Sequence, residues 1–152
     1  MNLKNIGLMG LVFLGTVAWA DNKNDQKRYD YFFQEAARMH AAGKYAEAFD
    51  LFEHARQINP QAAETYYYES LYYAQLKKDS LALDYMQQAI ALNPDNQTYA
   101  EHLAQYYIGN QQYDKAIDAY EALYAKNHGN TDALRILAQL YQQQKNYPMM
   151  LK

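Results

Sequence analysis

Apolar residues recur three and four positions apart along most of this chain, which is the spacing of amphipathic α-helices. In the first such segment Phe32, Ala36 and Met39 share one face, with polar residues between them. Asn59-Pro60 follows the second segment and predicts its end, because a residue before proline avoids helical backbone angles. The pattern predicts seven helices, at residues 29–42, 45–58, 63–76, 80–92, 98–108, 113–126 and 131–144, and the start of an eighth near Pro148.

This helical pattern repeats with a fixed period of 34 residues. The second helix of each pair carries a small residue, a large apolar residue, a further small or apolar residue and a closing asparagine at constant offsets. A repeat of this length and composition is typical of stacked helix–turn–helix units. The matching positions are Ala48, Phe52, Ala55 and Asn59, then Ala82, Met86, Ala89 and Asn93, then Ala116, Tyr120, Leu123 and Asn127.

Through these residues the chain resembles the tetratricopeptide-repeat family over residues 29–152. The resemblance implies an all-α fold, a right-handed α-α superhelix of about three and a half helix–turn–helix repeats. His128 departs from the family pattern, because it stands where the first two repeats have proline. The expected divisions are a signal peptide at 1–20, a polar lead-in at 21–28, repeats at 29–62, 63–96 and 97–130, and a partial repeat at 131–152.

The middle of the array has the most apolar first helix. Residues 63–76 are apolar nearly all round, which indicates a helix buried on several sides, as expected for a repeat with neighbours on both sides. The 34-residue register also predicts which residues of the first helices face the core. These core positions are Tyr66, Ser70 and Tyr73 in the second repeat and Leu134, Ala138 and Tyr141 in the fourth.

The resemblance also implies a binding surface. In the family, the first helix of each pair lines an inner, concave face, and such faces bind proteins or peptides. The implied groove is aromatic and apolar in its N-terminal half and polar with mixed charge in its C-terminal half. The candidate groove residues are Phe33, Ala37, Tyr67, Leu71, Glu101, Gln105, Arg135 and Gln139, flanked by Tyr68 and His102.

Two interpretations of the groove aromatics stay open at this point. Exposed aromatic patches often mark interaction sites, so Phe33 and Tyr67 are candidates for partner contact. Both rings are equally well explained as plain packing between helices. The carboxylate clamp known from this family needs lysine, arginine and asparagine at the inner positions, and the two windows of this chain lack the required cations.

The N-terminus predicts export. Lys4 is the only charged residue among residues 1–20, an apolar run follows at 6–18, and small residues precede a cleavage point between Ala20 and Asp21. A membrane anchor is the alternative, but a spanning helix needs about 20 apolar residues. The sequence therefore predicts a periplasmic or extracellular bacterial protein without a membrane anchor after cleavage.

Composition excludes several classes of function. The formal net charge is −3 and no dense basic run is present, which disfavours nucleic-acid binding. The chain contains no cysteine, so disulfides, thiolate metal sites and a cysteine nucleophile are excluded. The hydrophobic fraction of 50% includes 17 tyrosines, so the chain is less hydrophobic than that fraction suggests.

No arrangement of residues indicates catalysis, a cofactor or a metal. Asp50 and His54 are four residues apart on one helix, but two ligands do not complete a tetrahedral zinc site, so a solvated pair is favoured. Ser70 occupies a small-residue packing position, and Ser80 lies at a predicted helix start, where its hydroxyl can cap backbone amides. We therefore expect a protein that is not an enzyme and binds no cofactor.

The sequence favours a protein- or peptide-binding scaffold of the cell envelope. The alternative is a structural or self-assembling spacer of a longer exported protein, with a further domain beyond Lys152. The apolar ending at residues 149–152 motivates this alternative, because a terminal repeat normally presents a polar outer face. Self-association through this C-terminal edge is the corresponding expectation.

Overall fold

The structure is a computed structural model, and it describes residues 23–144. This part of the chain is made of seven α-helices connected by short turns. Three expectations, the signal peptide at 1–20, the eighth helix near Pro148 and self-association through the C-terminal edge, concern residues outside the described part of the chain. The helices are α1 (Lys23–Ala41), α2 (Tyr45–Ile58), α3 (Ala63–Gln75), α4 (Asp79–Leu92), α5 (Gln97–Gly109), α6 (Tyr113–Lys126) and α7 (Thr131–Gln143).

The helices form antiparallel pairs that stack into an array. Within the described residues each helix packs mainly against its neighbours in sequence, α1 on α2, α3 on α4 and α5 on α6, with α3, α5 and α7 joining successive pairs. The second helices α2, α4 and α6 begin at Tyr45, Asp79 and Tyr113, which are 34 residues apart. The predicted all-α solenoid of helical hairpins is confirmed.

Small residues let the helices of each pair approach closely. Ala36 of α1 and Ala48 and Ala55 of α2 are fully buried, and Phe52 fills the space between them. Ala89 and Ala116 take the same role in the later pairs. Each pair therefore buries one compact stripe, as the 34-residue register predicts.

The turns inside the pairs share one geometry. Gly43, Lys77 and Gln111, again 34 residues apart, adopt left-handed backbone angles with φ of 74°, 57° and 59°. The amide of the following residue closes each turn, for example from Lys44 N to Met39 O at 2.9 Å. This is the Schellman arrangement, for which glycine is best suited. The left-handed residue in the third repeat is Gln111, and Gly109 still belongs to α5.

The first helix is longer than predicted. It begins at Lys23, so residues 23–28, expected as a polar lead-in, form its first turns. Side-chain pairs one turn apart support this polar segment, since Gln26 donates to Asp30 at 2.8 Å and Arg28 to Asp25 at 3.2 Å. The periodicity missed these turns because residues 23–28 contribute no buried side chain, and the first buried residue of α1 is Tyr29.

Two predicted core stripes need correction. In α3, Tyr66 and Tyr73 are only partly buried, whereas Thr65, Glu69 and Ser70 are buried. In α7, Tyr141 is buried as predicted, but Leu134 is 48% exposed, and Ala133, Leu137 and Leu140 form the rest of the buried stripe. Leu134 is exposed because α7 is the last described helix, and no second helix covers it within residues 23–144. The buried stripe of α3 lies one position earlier than expected, and that shift places Glu69 in the core.

Candidate peptide-binding face

The N-terminal half of the predicted groove is built from interlocked aromatic rings. Tyr68 stacks on the buried ring of Phe52 with centroids 4.4 Å apart and planes nearly parallel. Phe33 contacts both rings edge-on, at 5.5 Å from Phe52 and 6.1 Å from Tyr68. Phe33 and Tyr68 are partly buried, so each ring packs against the core and keeps an accessible edge. Such offset and edge-to-face pairs hold the first helices in fixed positions.

Tyr67 links the second repeat to the third. Its ring stacks on Tyr99 of α5 at 4.8 Å, and its hydroxyl lies 3.3 Å from a ring nitrogen of His102. Burial raises the pKa of the Tyr67 hydroxyl. The contacts of Tyr67 therefore serve packing between repeats, while its partly buried ring still reaches the surface.

His40 belongs to the same aromatic region, although sequence reasoning gave it no partner. Its Nδ1 lies 2.6 Å from the hydroxyl of Tyr72, and its ring meets Tyr45 and Tyr68 edge-on. Burial raises the pKa of Tyr72 to about 12, so this tyrosine stays protonated. His40 and Tyr72 are 32 residues apart and lie on the first helices of successive pairs, so the repeat register was the available signal for their contact.

The C-terminal half of the predicted groove contains a polar cavity of about 290 Å³. It brings together Glu101 and Gln105 of α5 with Arg135 of α7, three residues that the sequence placed on one face. The cavity is also lined by Tyr120, Asn130, Asp132, Ala133 and Ile136, which the candidate groove did not include.

Hydrogen bonds order the rim of this polar cavity. Glu101 accepts a bond from the Asn130 amide at 3.4 Å, and Arg135 donates to Asp132 at 3.3 Å. Asn130 also caps α7, because its side-chain oxygen accepts from Ala133 N at 2.9 Å. The turn chemistry at residues 127–130 was the available signal for Asn130.

The floor of the polar cavity carries an unsatisfied donor. Tyr120 is 2% exposed, and its hydroxyl has no hydrogen-bond partner within residues 23–144. Burial raises the pKa of this hydroxyl, so it stays protonated. The nearby Gln105 side chain acts in the opposite direction and lowers the pKa of Tyr120, although no hydrogen bond joins the two side chains.

The remaining candidate residues do not join these two regions into one pocket. Leu71 and His102 line a separate cavity of about 40 Å³ between α3, α4 and α5. Ala37 is partly buried, and Gln139 is exposed on α7 without lining a described cavity. The candidate face therefore consists of an aromatic part on α1 and α3 and a polar cavity on α5 and α7.

Sequence reasoning missed a buried ion pair behind this face. Arg56 Nε of α2 donates to Glu69 Oε1 of α3 at 2.7 Å, and Glu69 is fully buried. Burial raises the pKa of the Glu69 carboxyl, while Arg56 acts in the opposite direction. The signal was the register, because the third and fourth repeats have Leu103 and Leu137 at the position of Glu69.

Neither metal nor membrane chemistry is indicated in the described part of the chain. Residues 23–144 contain no cluster of three histidine, cysteine or acidic side chains suited to hold a metal ion. None of the seven described helices combines the length and the hydropathy needed to traverse a bilayer.

Residues 63–96, the second helix pair, match the family model named Tetratricopeptide repeat. The second helix pair of this chain is therefore a tetratricopeptide repeat. The matched segment is one full period of the 34-residue register. The comparison with curated proteins gave no match.

Several solved structures share the fold of this chain. One crystal structure of MamA is 23% identical, with a TM-score of 0.69 over 81% of this chain and 72% of that chain. The first TPR of Spaghetti (RPAP3), bound to the HSP90 peptide SRMEEVD, is 20% identical, with a TM-score of 0.67 over 78% of this chain and 97% of that chain. A tetratricopeptide repeat protein from Parabacteroides merdae is 22% identical, with a TM-score of 0.72 over 80% of this chain and 48% of that chain.

Proposed function

We propose that this protein is a non-catalytic scaffold that binds protein or peptide segments on the face of its first helices. The polar cavity supports this proposal most strongly. It places charged and amide side chains of α5 and α7 around a buried, unsatisfied hydroxyl, beside an aromatic surface on α1 and α3. A neighbour of similar fold, the first TPR of Spaghetti (RPAP3), was solved bound to a peptide, which also supports the proposal.

The charges of the polar cavity restrict the partner. Glu101 and Asp132 are acidic, and Arg135, the cation that lines the cavity, already pairs with Asp132. An acidic tail such as SRMEEVD, the peptide of the RPAP3 structure, would meet these carboxylates without a free counter-charge. The scaffold therefore favours a neutral or basic segment at its C-terminal half.

A charge reversal at Glu101 tests this function. Peptides are first selected from a random display library on the full chain, and their affinities are measured by calorimetry. Glu101→Lys should weaken the selected peptides by about tenfold, a loss of about 1.4 kcal/mol typical of an interface residue that matters. Phe33 and Tyr67 are less suitable for substitution, because their rings also hold the core together.

The matched control is Asp84→Lys, which makes the same charge change at an exposed position of the second helix α4. It should leave peptide affinity unchanged, and circular dichroism should show equal helix content in both variants. Equal affinities for the wild type and Glu101→Lys would contradict the proposed face.

We further propose that the mature protein is exported to the periplasm or the cell exterior of a bacterium. Residues 1–20 support this proposal through their single charge, apolar run and small residues before Asp21. Expression of the full chain in bacterial cells and determination of its N-terminal residue tests it. Asp21 at the N-terminus is the expected result, and an intact Met1 would contradict export by cleavage.

A further inference from the structure

A further cavity, of about 210 Å³, lies where α4, α5 and α6 meet. Its walls are almost entirely apolar and come from Ile90, Pro94, Ala100, Leu103, Ala119 and Ala122, among others. An apolar cavity of about 150 Å³ is large enough to bind benzene. This apolar cavity therefore has room for an aromatic ring, and it opens to the surface at a rim that includes Asp95 and Lys126.

The equivalent place one repeat earlier, where α2, α3 and α4 meet, is occupied by side chains of the chain itself. The rings of Tyr66 and Tyr85 lie 5.7 Å apart. The Arg56 guanidinium lies over both, at 5.5 Å and 5.4 Å from the ring centroids, and pairs with Glu69. Two phenol rings and a cation thus fill this first junction.

The 34-residue register shows what changed at the second junction. Small or aliphatic residues replace each member of the cluster, so both rings and the cation are missing at the second junction. The equivalent residues at the second junction are Ile90 for Arg56, Ala100 for Tyr66, Leu103 for Glu69 and Ala119 for Tyr85, each 34 positions later in the sequence. In agreement, α4 and α5 are the sequence neighbours that touch least among the described helices.

The walls of the apolar cavity also define the chemistry of its occupant. At the first junction Glu69 pairs with Arg56, whereas the equivalent residue in the apolar cavity is Leu103, which has no charge. A cation buried in the apolar cavity would therefore lack a counter-ion, and its burial would cost free energy. An uncharged ring suits the cavity instead. At the first junction the Tyr66 hydroxyl donates to Pro60 O at 3.3 Å, and the equivalent Pro94 O now accepts from the flexible Lys126 side chain.

This apolar cavity is distinct from the proposed groove. Successive residues of a helix are rotated by about 100°, so Ala100 and Leu103 lie on nearly the opposite side of α5 from Glu101 and Gln105. The apolar cavity lies between α4, α5 and α6, whereas the polar cavity lies between α5 and α7 with Tyr120 of α6 at its floor, and the two share no lining residue.

We propose that the apolar cavity binds the ring of a tyrosine or phenylalanine side chain presented by a partner polypeptide. The ring occupies the place that Tyr66 and Tyr85 fill at the first junction, with a tyrosine hydroxyl directed to Pro94 O. The protein thereby has a second contact point for a partner, on the side of the array opposite the groove.

Titration with p-cresol, the side chain of tyrosine ending in a methyl group, tests the cavity directly. In the full chain with ¹³C-labelled alanine methyls, p-cresol should shift the Ala119 and Ala122 signals in a saturable way. Benzylammonium, a ring that carries a cation, should shift them less. The absence of saturable shifts with p-cresol, or equal shifts with the charged ring, would overturn the proposal.

Cavity-filling variants distinguish this site from adventitious binding. Ala119→Tyr restores the residue found at the first junction, and p-cresol binding should be lost; Ala100→Tyr provides an independent filling from α5. The matched control, Ala125→Tyr, makes the same change at an exposed position of α6 and should bind p-cresol like the wild type. Retained binding in both filled variants would place the probe elsewhere and overturn the proposal.

The polypeptide nature of the occupant needs its own measurement. A display library is selected for peptides that bind the Glu101→Lys variant, in which the groove is weakened, and peptides that also bind Ala119→Tyr, in which the apolar cavity is filled, are removed. Each remaining peptide should contain a tyrosine or phenylalanine whose replacement by alanine abolishes binding. Recovery of no binders, or of binders without an aromatic residue, would contradict a polypeptide ring. Wild-type oligomers that Ala119→Tyr converts to monomers in sedimentation would assign the cavity to a second copy and overturn the partner assignment.

Discussion

Replacing Arg56 by methionine should lower the free energy of unfolding by about 3–5 kcal/mol at neutral pH, the usual cost of removing one partner of a buried ion pair. Arg56 provides the hydrogen bond to Glu69, whose side chain has no exposed surface. The second carboxylate oxygen already lacks a partner within the described residues. Without the guanidinium, a buried carboxylate would have neither a counter-ion nor water.

The loss caused by Arg56→Met should depend on pH. Burial raises the pKa of Glu69 above its ordinary value of 4.5. The stability that the protonated Glu69 carboxyl contributes is therefore fully present below pH 4.5. It is lost as the pH rises through the raised pKa of Glu69. The variant raises this pKa further, because Arg56 no longer favours the charged form. Urea unfolding should show a large difference from wild type at neutral pH and a smaller one below pH 4.5.

The chain itself supplies the control for this pair. The second junction has Ile90 and Leu103 at the equivalent positions, so Arg56→Ile combined with Glu69→Leu copies a packing that the protein already uses. Replacing both ions by apolar residues is often neutral or stabilising. The double variant should recover most of the stability that Arg56→Met loses, and equal losses in the two would contradict the account of the pair.

Replacing Phe52 by alanine should cost about 3–5 kcal/mol of folding free energy, the range for removing a large buried aromatic side chain. Phe52 is fully buried, stacks on Tyr68 at 4.4 Å and contacts Phe33 at 5.5 Å. Its loss opens a cavity at the point where the first and second helix pairs join. Thermal unfolding followed by circular dichroism measures the effect.

The control for Phe52→Ala is the same kind of substitution at an exposed aromatic residue. Tyr31 is 65% exposed on α1, so Tyr31→Ala should change stability by less than about 0.5 kcal/mol. Similar losses for the two substitutions would show that the stacked rings do not form the junction.

The regular parts of the fold follow from the sequence alone. Ala48, Phe52 and Ala55 recur at constant spacing, and each proved fully buried where the period places it. The match works because each helical hairpin must bury the same stripe against its neighbours. Three of the groove candidates, Glu101, Gln105 and Arg135, also meet at one cavity, since the register puts them on the same face.

The irregular parts depend on contacts between helices that no local pattern reveals. Arg56 and Glu69 each read as surface charges on their own helices, and only the packing of α2 on α3 buries the pair. Lys77 and Gln111 adopt left-handed angles because the turn imposes them, against the preference of their side chains. The apolar cavity arises from what Ala100 and Ala119 lack, which becomes visible only beside the filled first junction.

Site-specific cross-linking of a display-selected peptide tests the central claim, that the face of the first helices binds polypeptide segments. The chain contains no cysteine, so Gln105→Cys on α5 and Gln87→Cys on α4 can each carry a single photoreactive group at an exposed position. The account predicts that the peptide cross-links to the label at position 105 and not to the label at position 87. Equal yields from both positions, or cross-linking from position 87 alone, would contradict it.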